Sequence, residues 1–184
     1  NQRSPYHAYD VLEHTARVCS ATEAFTVGCA TPTLRWAALL HDIAKPEMFS
    51  VDADGRGHFY GHPEKGSDVA KVLLKRLALP QHLINEICAL VALHDYDVDV
   101  TTASLRHMVA LLAEASKSDG IALAYDLLTL KQADALAKAV PYRGYAVALE
   151  RMFSLLKNEA KKGIAQRPQD LCISGADIIQ TLSI

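Results

Sequence analysis

Residues 36–49 read WAALLHDIAKPEMF, an apolar run that ends on an adjacent imidazole and carboxylate, followed by a lysine and a proline. The apolar part has the character of a buried helix, and its approach to Pro46 marks that helix's end, because the residue before a proline is biased away from helical geometry. Placing His41 and Asp42 at the end of a buried helix costs free energy unless something compensates them. Working outward, Thr31-Pro32 is a cap followed by proline in the first turn, so the helix containing this segment starts there.

The rest of the chain has the same grammar. Apolar residues recur mainly at helical spacing with Pro or Gly between the periodic segments, which predicts an all-α fold. The first helix is expected from Asp10, with Glu13 as capping-box partner, to Phe25. MFSVDADGRGHFY (48–60) departs from the pattern: a Gly-rich turn between two short β-prone runs predicts a small hairpin or ordered loop. Further helices are expected over 63–77, 80–94, 103–115 (capped by Thr101 or Thr102), 119–140 and 145–162, the last stopping at Gly163. The remaining RPQDLCISGADIIQTLSI reads as a loop with a short helix.

At 184 residues, half of them apolar, the chain can bury a sizeable core. A formal charge of -2 offers no global attraction for nucleic acid, although residues 131–167 carry eight Lys or Arg against three acids. Cys19, Cys29, Cys88 and Cys172 form no CxxC pair, which argues against a zinc ribbon or a disulfide framework and for reduced thiols in a cytoplasmic protein. No apolar run has the length of a membrane span, and the start has no signal-peptide pattern. The first residue is Asn1 rather than Met, and a fragment of a longer protein is expected.

The chemistry-bearing residues lie far apart in sequence. His14 is in the first helix, His41 and Asp42 end the second, and Asp134 shares a helical face with Leu127, Leu130 and Ala137. An acid on an apolar face calls for a cation, and two imidazoles with two carboxylates form a nitrogen and oxygen set suited to a divalent ion. His62 and His94 occupy further helix ends, enough donors for two ions about 3.5 to 4 Å apart. Singly, each of these is an ordinary core, surface or helix-end residue. His7, His82 and His107 are expected to be structural or exposed, Trp36 to be core, and Phe59 and Tyr60 to cover the core or to stack on a base.

VLEHTARV, LLHDIAKP and LKQADALAKA together resemble the HD superfamily of metal-dependent phosphohydrolases. By that resemblance His14, His41, Asp42 and Asp134 match the metal ligands, and His62 and His94 match the additional histidines of two-metal members. PYHAYDVLEHT, HFYGHPEKGSDVAKVLLKRL and DLCISGADII are similar to the HD and following regions of bacterial tRNA nucleotidyltransferases, the CCA-adding and poly(A) polymerase family. No GGxxR-type nucleotide loop of the transferase domain is found in this stretch. The resemblance implies an HD domain over residues 1–140 with a helical extension over 141–184, and phosphomonoesterase or 2′,3′-cyclic phosphodiesterase action.

The expected cofactor is one or two divalent ions, with manganese, iron, nickel, magnesium and zinc left open. Asp42 either bridges the ions or takes a proton from the attacking water. Lys45 either meets a phosphoryl oxygen or is a plain C-terminal helix cation, and Arg17 and His58 either contact the substrate or face solvent. The expected partners are a phosphorylated nucleotide or an RNA 3′ end, tRNA among them, and no membrane. Two rivals stand beside this reading. One is a non-catalytic RNA scaffold whose basic C-terminal helices track phosphates. The other is a hydrolase of a dinucleoside polyphosphate or similar signalling nucleotide.

Overall fold

The computed structural model describes residues 9–138, 145–171, 173 and 175–182. His7, Val140 at the expected end of the 119–140 helix, and Cys172 lie outside the described residues. The fold is an all-α bundle with one two-stranded hairpin, as the periodicity predicts.

Local chemistry starts each element. Asp10 caps α1 (Val11–Phe25), its side chain accepting from the Glu13 N–H at 2.9 Å. Thr31 caps α2 (Pro32–Leu40) in the same way through the Leu34 N–H at 3.0 Å, with Pro32 in the first turn. The hairpin pairs β1 (Ser50–Val51) antiparallel with β2 (Gly57–His58). Then follow α3 (His62–Arg76), α4 (Gln81–Leu93), α5 (Thr102–Ser116, capped by Thr101), α6 (Gly120–Ala137) and α7 (Tyr145–Lys161). A short 3-10 turn and α8 (Gly175–Leu182) complete the described chain.

One boundary differs from the sequence reading in a way that matters. The α2 hydrogen-bonding closes at Leu40 rather than running to Lys45-Pro46. Residues 41–48 continue in turns with bonds from Ile43 N to Leu40 O (3.1 Å) and from Lys45 N to Asp42 O (3.0 Å). These three-residue bonds tighten the chain, as 3-10 segments do at helix ends. In a regular helix His41 and Asp42 would project about 100° apart; here both are buried, 0% and 1% exposed.

The centre of the bundle is α6, apolar nearly all round and packed against α1, α5 and α7. Gly120 lets it come close to α5, since a Cβ there would lie 2.3 Å from the Val109 carbonyl oxygen. Leu149, Met152 and Leu156 of α7 join Leu127, Leu128 and Leu130 of α6 in one core cluster, against which Trp36 packs half-buried. With α1, α2, α4 and α6 meeting around this core, His14 and Asp134 come together although 120 residues apart.

Candidate metal centre

Asp42 is the hub of a buried polar cluster. One carboxylate oxygen, Oδ2, lies 3.2 Å from His41 Nε2, 3.6 Å from His14 Nε2 and 2.7 Å from Lys45 Nζ. The other, Oδ1, lies 3.4 Å from His62 Nε2 and 3.7 Å from His94 Nε2. His14 Nε2 also meets Asp134 Oδ1 at 3.0 Å. The cluster therefore falls into two donor groups, His14 with His41 and Asp134, and Asp42 with His62 and His94. Within each group the donor atoms lie within 4.8 Å of one another.

The histidines are oriented from behind. Nδ1 of His41 contacts the Ala38 carbonyl at 2.9 Å, Nδ1 of His62 that of Phe59 at 2.8 Å, and Nδ1 of His94 that of Val91 at 2.7 Å. A carbonyl oxygen only accepts, so each Nδ1 carries a hydrogen, and in the neutral rings Nε2 is left as a lone pair. His62 Nε2 and His94 Nε2 are 3.2 Å apart. Two lone pairs at that distance repel unless a proton or a cation lies between them. His41 Nε2 and Asp42 Oδ1 are buried and have no hydrogen-bond partner among the described residues. Buried polar atoms are ordinarily satisfied, so these two are positions that a ligand could fill. Four imidazoles and two carboxylates aimed at one interior fit a divalent cation.

Charge inside the cluster is balanced unevenly. Burial, the largest influence on Asp42, favours its protonated form, but His41, His62 and Lys45 hold it well below the usual carboxylate range. Burial likewise pushes Asp134 up, and the His14 bond and the nearby Lys138 ammonium hold it well below. For His41 burial works downward, yet Asp42 and Asp134 leave it raised. His94 is pushed down to about 4, first by burial and then by repulsion from His41, so its ring is neutral near pH 7.

The centre opens onto a cleft of about 610 Å³ lined by Lys45, Arg56, His58, Tyr60 and Lys138 among others, a size suited to a small-molecule ligand. The sequence reading's six ligand candidates, His14, His41, Asp42, His62, His94 and Asp134, are thus brought together, with Lys45 against them. Arg17 is not brought there: its guanidinium pairs with Glu13 at 2.8 Å and lies 3.8 Å over the Tyr9 ring, on the α1 surface. His58 is at the cleft, paired with Asp52 at 2.8 Å rather than turned to the donor groups.

Two lysines escaped the sequence reading. Lys138 Nζ sits 2.8 Å from Asp134 Oδ2, and its place four residues after Asp134 was the available signal. Lys131 is buried, its ammonium pushed down to about 8 by that burial, and it donates to the His94 carbonyl at 2.7 Å, holding the end of α4. Nothing in its local sequence separates it from a solvated helix lysine. No helix among the described residues is long and apolar enough to cross a membrane.

A family model described as HD domain matches residues 6–139. Among curated proteins, the chain is 32% identical over 161 residues to an A-adding tRNA nucleotidyltransferase of Deinococcus radiodurans, covering 84% of this chain and 35% of that protein. It is 29% identical over 151 residues to a CC-adding tRNA nucleotidyltransferase of Thermus thermophilus, covering 82% of this chain and 31% of that protein. The chain thus spans about a third of the length of the curated relatives it matches.

Proposed function

The chain belongs to the HD domain family, and from that premise we propose that it is a metal-dependent phosphohydrolase acting on a phosphorylated nucleotide or an RNA 3′ end, within a protein related to tRNA nucleotidyltransferases. The reaction is hydrolysis of a phosphomonoester or a 2′,3′-cyclic phosphodiester: a bond forms between water oxygen and phosphorus as the bond to the leaving oxygen breaks. The observation that carries this reading is the set of Nε2 atoms whose Nδ1–H groups are tied to the Ala38, Phe59 and Val91 carbonyls, together with Asp42 Oδ1, which has no hydrogen-bond partner among the described residues. An interior that merely holds a fold together has no use for donors left open.

Divalent cations held there would supply positive charge that lowers the pKa of water toward 7 and favours a phosphoryl oxygen nearby. His14, His41 and Asp134 would hold one ion, His62 and His94 a second, with Asp42 offering one oxygen to each side. Lys45 and Lys138, both on the cleft, place ammonium groups where negative charge grows on the phosphoryl oxygens. Lys45 starts from its contact with Asp42, so the same side chain keeps that carboxylate ionised. The buried setting of His41, Asp42 and His94 keeps bulk water from screening these charges.

Metal analysis of the purified chain, followed by hydrolysis of p-nitrophenyl phosphate and 2′,3′-cyclic AMP with manganese, nickel or magnesium, tests the proposal. Turnover that His41→Ala lowers by more than about a hundredfold is expected, since even outer-shell partners of metal ligands are worth 10–100-fold. The scaffold reading keeps two observations in its favour: Arg151, Lys157 and Lys161 of α7 and Lys162 just after it are exposed, and the relatives are tRNA enzymes. A metal-loaded protein inert on both substrates, yet shifting tRNA in a gel with steep salt dependence, decides for it.

A further inference from the structure

The mouth of the cleft carries a feature that hydrolysis of a bare phosphate does not need. His58 and Tyr60 are two residues apart where the chain leaves β2, and side chains at that spacing in extended chain share a face. Their rings lie 5.0 Å apart and within 9° of parallel, an offset stack. Phe59, between them, meets Phe49 at 5.5 Å instead, with Lys45 Nζ 5.5 Å from its ring.

The stack is anchored on both sides. His58 Nε2 is 2.8 Å from Asp52 Oδ2, and Asp52 Oδ1 accepts the Asp54 and Arg56 backbone N–H groups at 3.0 and 2.8 Å, tying the hairpin loop to the imidazole. After Tyr60, Gly61 adopts the left-handed conformation (φ 74°) that turns the chain into α3. Tyr60 is nonetheless 74% exposed. One face of its ring is covered by the imidazole, and the other is available. An isolated exposed tyrosine is unremarkable on a surface, but this one lines the cleft, held parallel to a second ring, and Arg56 lines the same cleft.

We infer that the His58–Tyr60 stack is a platform for a nucleobase, so that the site selects base-bearing phosphates over bare phosphate esters. This rests on the reading of the buried centre as a phosphoryl site. Bases stack on protein aromatics irrespective of sequence because each has a π-face. Tyr60 and His62 line the same cleft and are two residues apart in sequence, at most about 7 Å between Cα atoms. A base on Tyr60 and a phosphate against His62 and Lys45 would then belong to one ligand, with Arg56 lining the same cleft.

Calorimetric titration of the manganese-loaded chain with AMP and with ribose 5-phosphate tests the platform. AMP is expected to bind roughly tenfold tighter. Tyr60→Ala should bring AMP down to the ribose 5-phosphate level while leaving ribose 5-phosphate unchanged, and Tyr60→Phe should retain the preference. A trinucleotide ending in a 3′-phosphate, titrated alongside, identifies the source: a Tyr60→Ala loss larger for the trinucleotide than for AMP points to the RNA end, and a loss confined to AMP points to the free nucleotide. Equal affinity for AMP and ribose 5-phosphate, or a preference that survives Tyr60→Ala, overturns the inference. The two readings fail separately. A Tyr60-dependent AMP preference without hydrolysis of any substrate leaves the platform and removes the phosphohydrolase; turnover of p-nitrophenyl phosphate with no base preference does the reverse.

Discussion

Asp42 and Glu159 are two carboxylates buried almost equally, 1% and 2% exposed, and they are treated in opposite ways. Glu159, between α5 and α7, is closed: Arg106 Nε meets one oxygen at 2.6 Å and Lys162 Nζ the other at 2.5 Å. Asp42 is open: Lys45 takes one oxygen, and the other has no hydrogen-bond partner among the described residues while two imidazole Nε2 atoms face it. A buried charge held for structure is satisfied by fixed protein groups. One held for chemistry keeps a position for what arrives from outside. Asp126 stands between them, half-buried and held by the Thr31 hydroxyl at 2.8 Å, with no ion pair among the described residues.

The largest expected effect breaks the open member. Manganese at about a hundredfold over its Kd should stabilise the wild-type chain by about 2.7 kcal/mol, raising its melting temperature by roughly 5–10 °C. Asp42→Asn, which keeps the shape and removes the charge, should lose that shift, and hydrolysis should fall by more than about a hundredfold. Scanning calorimetry with and without manganese reads this directly; a shift that survives in Asp42→Asn shows that the open oxygen is not what the metal uses, and the contrast with Glu159 collapses.

Breaking the closed member should act on stability alone. Glu159→Ala removes a well-packed buried group and its bonds to Arg106 and Lys162, whose half-exposed cations stay hydrated, so a melting temperature a few degrees lower is expected. The manganese-induced shift and the hydrolysis rate per folded molecule should be unchanged. A loss of metal response in this variant is the result that would dissolve the distinction.

Asp126 gives the smallest effect and a pH signature. Burial, followed by repulsion from Glu86, raises its folded-state pKa above the ordinary value, against the opposing bond from Thr31. A raised carboxyl pKa contributes stability that is present below the unfolded value near 3.9 and is lost as pH rises through the folded value. Asp126→Asn never ionises and still accepts from Thr31. It should therefore exceed the wild type in stability at pH 7, by less than about 1 kcal/mol, with the advantage shrinking toward pH 4.5. Denaturant unfolding at the two pH values checks both sign and trend.

The helical architecture was legible because its signals are local. Asp10 and Thr31 cap helices where the sequence places them, Leu127, Leu130 and Ala137 are buried on one face with Asp134 beside them, and the Gly-rich stretch after Met48 forms the hairpin. The six candidate donors were named from their order along the chain, and the fold brings them together. Arg17 shows the limit: three residues past His14 it shares a side of α1 with it, yet Glu13 one turn back and the Tyr9 ring claim its guanidinium first. Lys131 and Lys138 were missed because a lysine's local sequence does not reveal which neighbouring helix covers it.

By itself, then, the sequence determined an all-α chain and the residue types able to hold a divalent cation, since capping, periodicity and ligand chemistry act over a few residues at a time. Only the tertiary structure decided that α2 ends at Leu40, that the two oxygens of Asp42 face different histidines, and that Tyr60 lies flat against His58 at the cleft. Those outcomes depend on how α1, α2, α4 and α6 cross one another and on where the hairpin docks. Such geometry is set by packing summed over the whole core, to which no single stretch of sequence holds the key.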